Sequence, residues 1–139
     1  MTNNVKNKGA ATKYELSKTK YCKGLQCPKM LWLDDHAPQL ATYTFSESRV
    51  ETGKKVGALA RGYLGKYDLV PYNSNKQTMC AATAAMMQAG ADNIAEASFI
   101  HNGLYCAADI LHRNGDGWDI VEVKNSTKLK DDYFEDMAF

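Results

Sequence analysis

The chain has 139 residues, which at roughly 150 residues per domain allows one domain. Hydrophobic residues make up 45 % and charged residues 24 %, a globular balance that excludes a disordered, collagen-like or disulfide-scaffold protein. No apolar run long enough to span a bilayer occurs, and Met1-Thr-Asn-Asn-Val-Lys has no apolar stretch of the kind a secretory leader needs, so a cytoplasmic protein without a membrane partner is expected.

Residues 1–15 are polar and aperiodic and are expected to form a flexible basic arm. Charge is uneven about it. Residues 1–30 hold seven lysines and one acid, whereas residues 31–139 hold ten basic and fifteen acidic residues. The first part suits an anionic partner or serves as a solubilising tail.

A single domain over residues 16–139 follows. Ser17 predicts the cap of a short helix carrying Tyr21, Cys22 and Leu25. Cys27-Pro28 opens a second, strongly apolar helix with Met30, Leu31, Trp32 and Leu33, because proline is tolerated at a first helical position; Trp32 is expected in the core. Ser46 opens a longer helix with Val50, Val56, Leu59, Ala60, Tyr63 and Leu64 as its apolar face. Gly53, Gly57 and Gly62 weaken that helix and would permit close approach of a neighbour. Asp68 to Asn75 reads as a connection. Asn75 to Ala89, rich in Ala and Met, predicts a mostly buried helix.

The periodicity then becomes that of strands. Ile94–His101 and Leu104–Arg113 flank a turn at Asn102-Gly103. Asn114-Gly115-Asp116-Gly117 is a strong hairpin signal before a third strand over Trp118–Asn125. Asp131 onward predicts a helix with Tyr133, Phe134, Met137, Ala138 and Phe139 apolar.

Chemistry concentrates on the hairpin. Glu122 and Lys124 are two apart and share one strand face, and the turn can carry Asp109 beside them. Among Ala107, Ala108, Ile110, Leu111, Ile120, Val121 and Val123, two carboxylates and an ammonium are costly unless they pair or bind a cation. A hard divalent ion relieves carboxylate repulsion, lowers the pKa of a water and neutralises phosphate oxygens. A plain ion pair of Lys124 with either acid is the alternative.

The runs Ala108-Asp109-Ile110-Leu111 and Ile120-Val121-Glu122-Val123-Lys124-Asn125-Ser126 resemble the core motif of the PD-(D/E)xK nuclease superfamily. With Leu16-Ser17-Lys18-Thr19-Lys20 and Gln26-Cys27-Pro28-Lys29-Met30-Leu31-Trp32-Leu33, the chain is similar to the RecB-type branch, which includes the CRISPR-associated RecB-like exonucleases, and most of all to an uncharacterised bacterial subgroup of it. The resemblance implies an α/β (α+β) restriction-endonuclease-like core, a mixed sheet with a central β-hairpin flanked by helices, below a helical N-terminal half. It implies Asp109 and Glu122 as ligands of Mg²⁺ or Mn²⁺, the Val123 carbonyl as a third ligand, and Lys124 as the catalytic lysine. Glu96, on the preceding strand, would join the metal shell, bind Lys124, or remain a solvated edge acid. Relatives often carry a metal-binding histidine on a helix where this chain has Gly57-Ala58-Leu59-Ala60-Arg61; the resemblance then implies either a simpler metal site than in those relatives or substitution by Glu47 or Glu51. Position 108 holds alanine where the superfamily motif has proline.

Many relatives bind a 4Fe–4S cluster through one N-terminal and three C-terminal cysteines. Cys27 matches the first, but Cys22, Cys80 and Cys106 do not match the others, so a cluster is not expected within this chain. The family's Gln and Tyr motif lies beyond Phe139, so a missing C-terminal segment or a partner chain is expected to complete the core. The expected activity is metal-dependent hydrolysis of DNA without sequence readout, with Lys18, Lys20, Lys23 and Lys29 on phosphates and Tyr14 or Tyr21 available for base stacking. The alternative is an inactive nucleic-acid-binding or adaptor domain that keeps the nuclease fold.

Overall fold

A computed structural model describes residues 16–40 and 47–139. The expected basic arm over 1–15, Tyr14 and the expected helix start at Ser46 lie outside these residues. The described part is a mixed α/β structure of five α-helices and a five-stranded mixed sheet. Among the described residues no helix is long and apolar enough to cross a membrane.

The chain enters as a two-residue strand, β1 (Leu16–Ser17), and turns into α1 (Lys18–Gln26). Ser17 has extended backbone and its hydroxyl accepts the Lys20 amide hydrogen at 3.3 Å, so it caps the helix as its sequence requires. Cys27, also extended, closes α1 and starts α2 (Pro28–His36), with Pro28 in the first turn where no amide donor is needed. A single 3₁₀ turn follows at Pro38–Leu40. From residue 47 come α3 (Glu47–Tyr63), β2 (Asp68–Leu69) and α4 (Lys76–Gln88), the last capped by the Asn75 side chain. Three strands then run consecutively: β3 (Asn93–His101), β4 (Leu104–Asn114) and β5 (Gly117–Val121). The chain ends in α5 (Asp131–Ala138).

β3 and β4 form the antiparallel centre, joined at Asn102-Gly103. Both turn residues have positive φ, 48° and 78°, which a two-residue hairpin loop matched to strand twist requires and which the Asn-Gly pair supplies at low cost. β2 lies parallel to β3, Asp68 beside Ile94 and Leu69 beside Ala95. Residues 68 and 69 were expected in a connection; they extend because the next residue, Val70, is buried in the core and its amide bonds Ala95 O.

β4 carries two partners on one edge. β1 runs parallel to its beginning, Leu16 beside Leu104 and Ser17 beside Tyr105. β5 runs antiparallel to its end, from Ile110–Val121 to Asn114–Gly117. Between them, Cys106 to Asp109 face neither strand on that edge, and both chain segments leave the sheet there: into α1 at Lys18 and out of β5 at Glu122.

The core lies between the sheet and α4, built from Val70, Met79, Ile94, Ala97 and Leu111 with Met86, Phe99 and Trp118 against them. Thr83 is buried in it without penalty, since its hydroxyl donates to Met79 O (3.1 Å) and accepts the Ser98 amide (2.9 Å). Buried Asn93 joins the exit of α3 to the sheet: its Nδ2 donates to Leu64 O (3.2 Å) and Lys66 O (2.9 Å), and its Oδ1 lies 2.7 Å from His112 Nδ1.

Three expectations are corrected here. Only Met79 and Thr83 of α4 are fully buried, because one layer of sheet covers one helical face and the alanines on the other need no cover. Trp32 is 56 % exposed rather than in the core; it stacks on His36 one turn later, centroids 4.5 Å apart and planes at 4°. Among the described residues the α3 glycines serve no close approach: a Cβ at Gly53 or Gly62 would meet nothing within 4 Å, and one at Gly57 the Arg61 guanidinium at 3.9 Å. On that side Val56, Ala60 and Leu64 face Ile110 and Val121 across a cavity of about 470 Å³.

Candidate active site

β5 ends at Val121, so Glu122 and Lys124 lie just past the ladder rather than inside a strand reaching Asn125. A side chain causes the departure. Asp109 Oδ2 accepts the Val123 amide hydrogen at 2.7 Å, taking the place of a backbone carbonyl on β4. Asp109 thereby pins the loop that carries the other two residues.

Glu122 and Lys124 meet as their spacing requires, with Lys124 Nζ 2.7 Å from Glu122 Oε1. The second carboxylate oxygen, Oε2, receives Lys18 Nζ at 3.1 Å, from the other branch of the fork. Both ammonium groups also reach Asp136 of α5: Lys124 bonds its Oδ2, and Lys18 lies 3.5 Å from its Oδ1. Two acids and two bases thus form a closed square, with side-chain exposures of 11 % for Glu122, 14 % for Asp136 and 21 % for Lys18. α5 is seated for this role by Tyr21 packing on Phe139 (centroids 5.0 Å) and by Cys22 Sγ, 3.6 Å from Asp136 Oδ1.

Glu96 sits across β4 from this square. Its φ is +58°, in the left-handed region. Regular pairing is interrupted there: Ala95 pairs Ile110 and Ala97 pairs Ala108, leaving Glu96 and Asp109 opposite one another without a ladder pair. A non-glycine residue held so in mid-strand costs of the order of 1 kcal/mol or more, and the strain falls beside the carboxylates.

The electrostatics follow from the crowding. Burial pushes the Glu96 carboxyl above its ordinary range; the charge of Asp109 adds to this, Arg61 of α3 opposes it, and Glu122 adds again. Burial likewise raises Glu122, against the Lys124 hydrogen bond and with the Asp109 charge. Burial disfavours the Lys124 ammonium, but bonds to Asp136 and Glu122 outweigh it and hold the group firmly protonated. At Asp136, burial is overcome by the Lys124 and Glu122 bonds and by both lysine charges, and its pKa falls to about 2.

Among the described residues, no group of three or more His, Cys, Asp or Glu side chains stands ready to hold a metal ion. The acids are gathered about ammonium groups instead. Their chemistry nevertheless fits a hard divalent ion: Glu96, Asp109 and Glu122 offer oxygen donors only, and burial, with the Asp109 charge adding to it, lifts Glu96 and Glu122, a cost that such an ion would relieve.

The remaining expected residues are placed as follows. Lys20 and Lys23 pair across to Asp35 and Asp34 of α2, which cancels part of the basic face, while Lys29 is exposed. Glu47 and Glu51 are exposed, and Glu51 pairs with Lys55 (2.8 Å); the α3 residue acting on the carboxylates is Arg61. Cys27 lies at the α1–α2 junction, and all four cysteines are free and half-buried. A cavity of about 560 Å³ opens at Glu122 and Lys124, walled by Ile120, Lys128, Tyr133 and Phe134. A second, about 670 Å³, lies between α1 and α5 with Lys124, Lys23 and Asp136 on its wall. Asp136 and the inward role of Lys18 were missed by sequence reasoning; the spacing of Asp136 two places after Phe134 and one before Met137, on the apolar side of a short helix, was the available signal.

Comparison of the chain with protein-family models, with curated proteins and with solved structures finds no match.

Proposed function

We propose that this chain is a metal-dependent nuclease domain of PD-(D/E)xK type, with a restriction-endonuclease-like core, that hydrolyses phosphodiester bonds of DNA. The observation that carries the reading is the convergence at one forked strand edge of Asp109, Glu122 and Lys124, beside a strained Glu96. Asp109 and Glu122 would hold Mg²⁺ or Mn²⁺, with the Val123 carbonyl and Glu96 as further oxygen donors. A divalent ion supplies Lewis-acid neutralisation of charge developing on phosphate oxygens and lowers the pKa of nearby water.

The protein's own groups do the rest. Lys124 stays protonated through neutral pH, so its role is donation, to a phosphate oxygen or an attacking water, and not proton removal. Asp109 fixes the Val123 backbone and thereby the separation of Glu122 from Lys124. Lys29, exposed on α2, and Lys128, on the wall of the open cavity, would contact phosphates without reading sequence. The resemblance of the hairpin and Cys-Pro helix motifs supports the same class.

A second reading is favoured by one observation: both Glu122 oxygens and the Lys124 ammonium already have partners within the chain. A domain so neutralised would bind nucleic acid without cutting it. The two are separated by incubating linear double-stranded and single-stranded DNA with Mg²⁺ or Mn²⁺ beside Asp109→Ala and Lys124→Ala. Cleavage lost by at least about 100-fold in both variants, which is the low end for a positioned acid–base or electrostatic group, supports the nuclease. Equal cleavage by the variants, or DNA binding with no cleavage by any, rejects it.

A further inference from the structure

Lys18 stands where a nuclease of the proposed kind needs a cation. It reaches the site from α1, on the opposite branch of the fork from Lys124, and places Nζ 3.1 Å from Glu122 Oε2. Its charge is felt by Glu96 as well as by Glu122 and Asp136. Four carboxylates gather there against Lys18, Lys124 and Arg61, so an ammonium serves as the local counterion. Lys124 lies 2.7 Å from Glu122 and also bonds Asp136, whereas Lys18 lies 3.1 Å from Glu122 and 3.5 Å from Asp136. Of the two amines on Glu122, Lys18 is the one held more loosely, and its four-carbon stem can swing without moving the helix.

We propose that Lys18 is a resident counterion of the metal site: it occupies Glu122 Oε2 until a divalent cation takes that oxygen, and the displaced ammonium then contacts a phosphate of the nucleic acid. The inference rests on the nuclease reading. It gives Lys18 two positions tied to loading, so the free site is held together by an ion pair and metal entry and phosphate capture are linked. A pair that occupies the binding-competent carboxylate most of the time reduces apparent metal affinity by the fraction left free.

The test is calorimetric titration of Mn²⁺ into the full chain, without DNA, for the wild type, Lys18→Met, Lys18→Gln and Asp109→Ala. Mn²⁺ affinity about tenfold tighter in the Lys18 variants, and lost in Asp109→Ala, is the expected result. Should the variants fail to fold, amine acetylation of the wild type read by mass spectrometry serves instead: Lys18 is shielded without metal and labelled several-fold faster with Mn²⁺. Equal or weaker Mn²⁺ binding in folded Lys18 variants, or unchanged labelling, overturns the counterion role and leaves the nuclease reading standing. Absence of Mn²⁺ binding in wild type and variants alike overturns both.

Discussion

Replacing Asp136 by Asn tests the ion-pair square without asking for catalysis. The carboxylate has a folded pKa of about 2 against an ordinary 3.8. A lowered carboxylate pKa means that folding favours the ionised form. Its contribution is therefore full above pH 4 and fades as pH falls toward 2. A gap of nearly two units corresponds to about 2.5 kcal/mol at 1.36 kcal/mol per unit. The site is open to solvent on the side of the α1–α5 cavity, and screening there reduces the figure to about 1–1.5 kcal/mol. For a chain of this length, with an unfolding entropy of roughly 0.3 kcal/mol per kelvin, that is about 3–5 °C in Tm. Urea denaturation of wild type and Asp136→Asn at pH 7, 4 and 2.5 measures it. The difference should be largest at pH 7 and shrink to about a third at pH 2.5. A difference that is the same at every pH would show that the variant disturbs packing and that the square contributes nothing; no difference at pH 7 would show that solvent screens it entirely.

Glu96→Gln should raise Tm at pH 8 and leave it unchanged at pH 4, because a carboxyl raised by burial and by Asp109 costs the fold only when ionised; an equal gain at both pH values would refute the electrostatic account. Asn93→Ala should cost about 1–3 kcal/mol in urea denaturation, since it removes the partner of two part-buried carbonyl bonds and of His112 at once, and a loss under about 0.5 kcal/mol would mean that water replaces the side chain. Trp32→Ala should change stability by less than about 0.5 kcal/mol, as the ring is largely exposed and stacks on His36 of its own helix; a larger loss would place the indole in a core contact.

Local signals located most elements. Ser17, Cys27-Pro28 and Asn75 mark helix starts through side-chain or proline chemistry that acts within three residues, and Asn102-Gly103 and Asn114–Gly117 mark turns the same way. What depends on distant partners was not legible. β1 and β2, at two residues each, are strands only because β4 and β3 lie beside them. Trp32 carries the composition of a core residue, yet it is 56 % exposed, its ring stacked on His36 of the same short helix. The end of β5 at Val121 is set by the Asp109 side chain, thirteen positions and more before the loop it pins, and alternation cannot reveal that. The same holds for the site. The Glu122–Lys124 spacing was sufficient to expect their contact, whereas Asp136 and Lys18 enter it from 12 residues after Lys124 and from 104 residues before Glu122.

The fork in the β4 edge explains why charge collects where it does. A continuous strand beside β4 would satisfy its backbone groups and place Glu122 and Lys124 on regular, separated positions of one face. Because β1 ends at Ser17 and β5 at Val121, four β4 residues lose their neighbour, and backbone groups there must find side-chain partners or water. Asp109 answers by capturing the Val123 amide, which draws the loop inward and brings Glu122 under the amine from α1. The gap thus forces polar side chains into a half-buried place, where burial raises Glu96 and Glu122 and holds their charges in mutual repulsion. An ion pair relieves that repulsion at Glu122 but leaves Asp109 and Glu96 facing one another across the interrupted ladder. In the proposed nuclease a divalent cation held by Glu122 and Asp109 would relieve both, which is the charge argument for the proposed exchange of Lys18 for a metal ion.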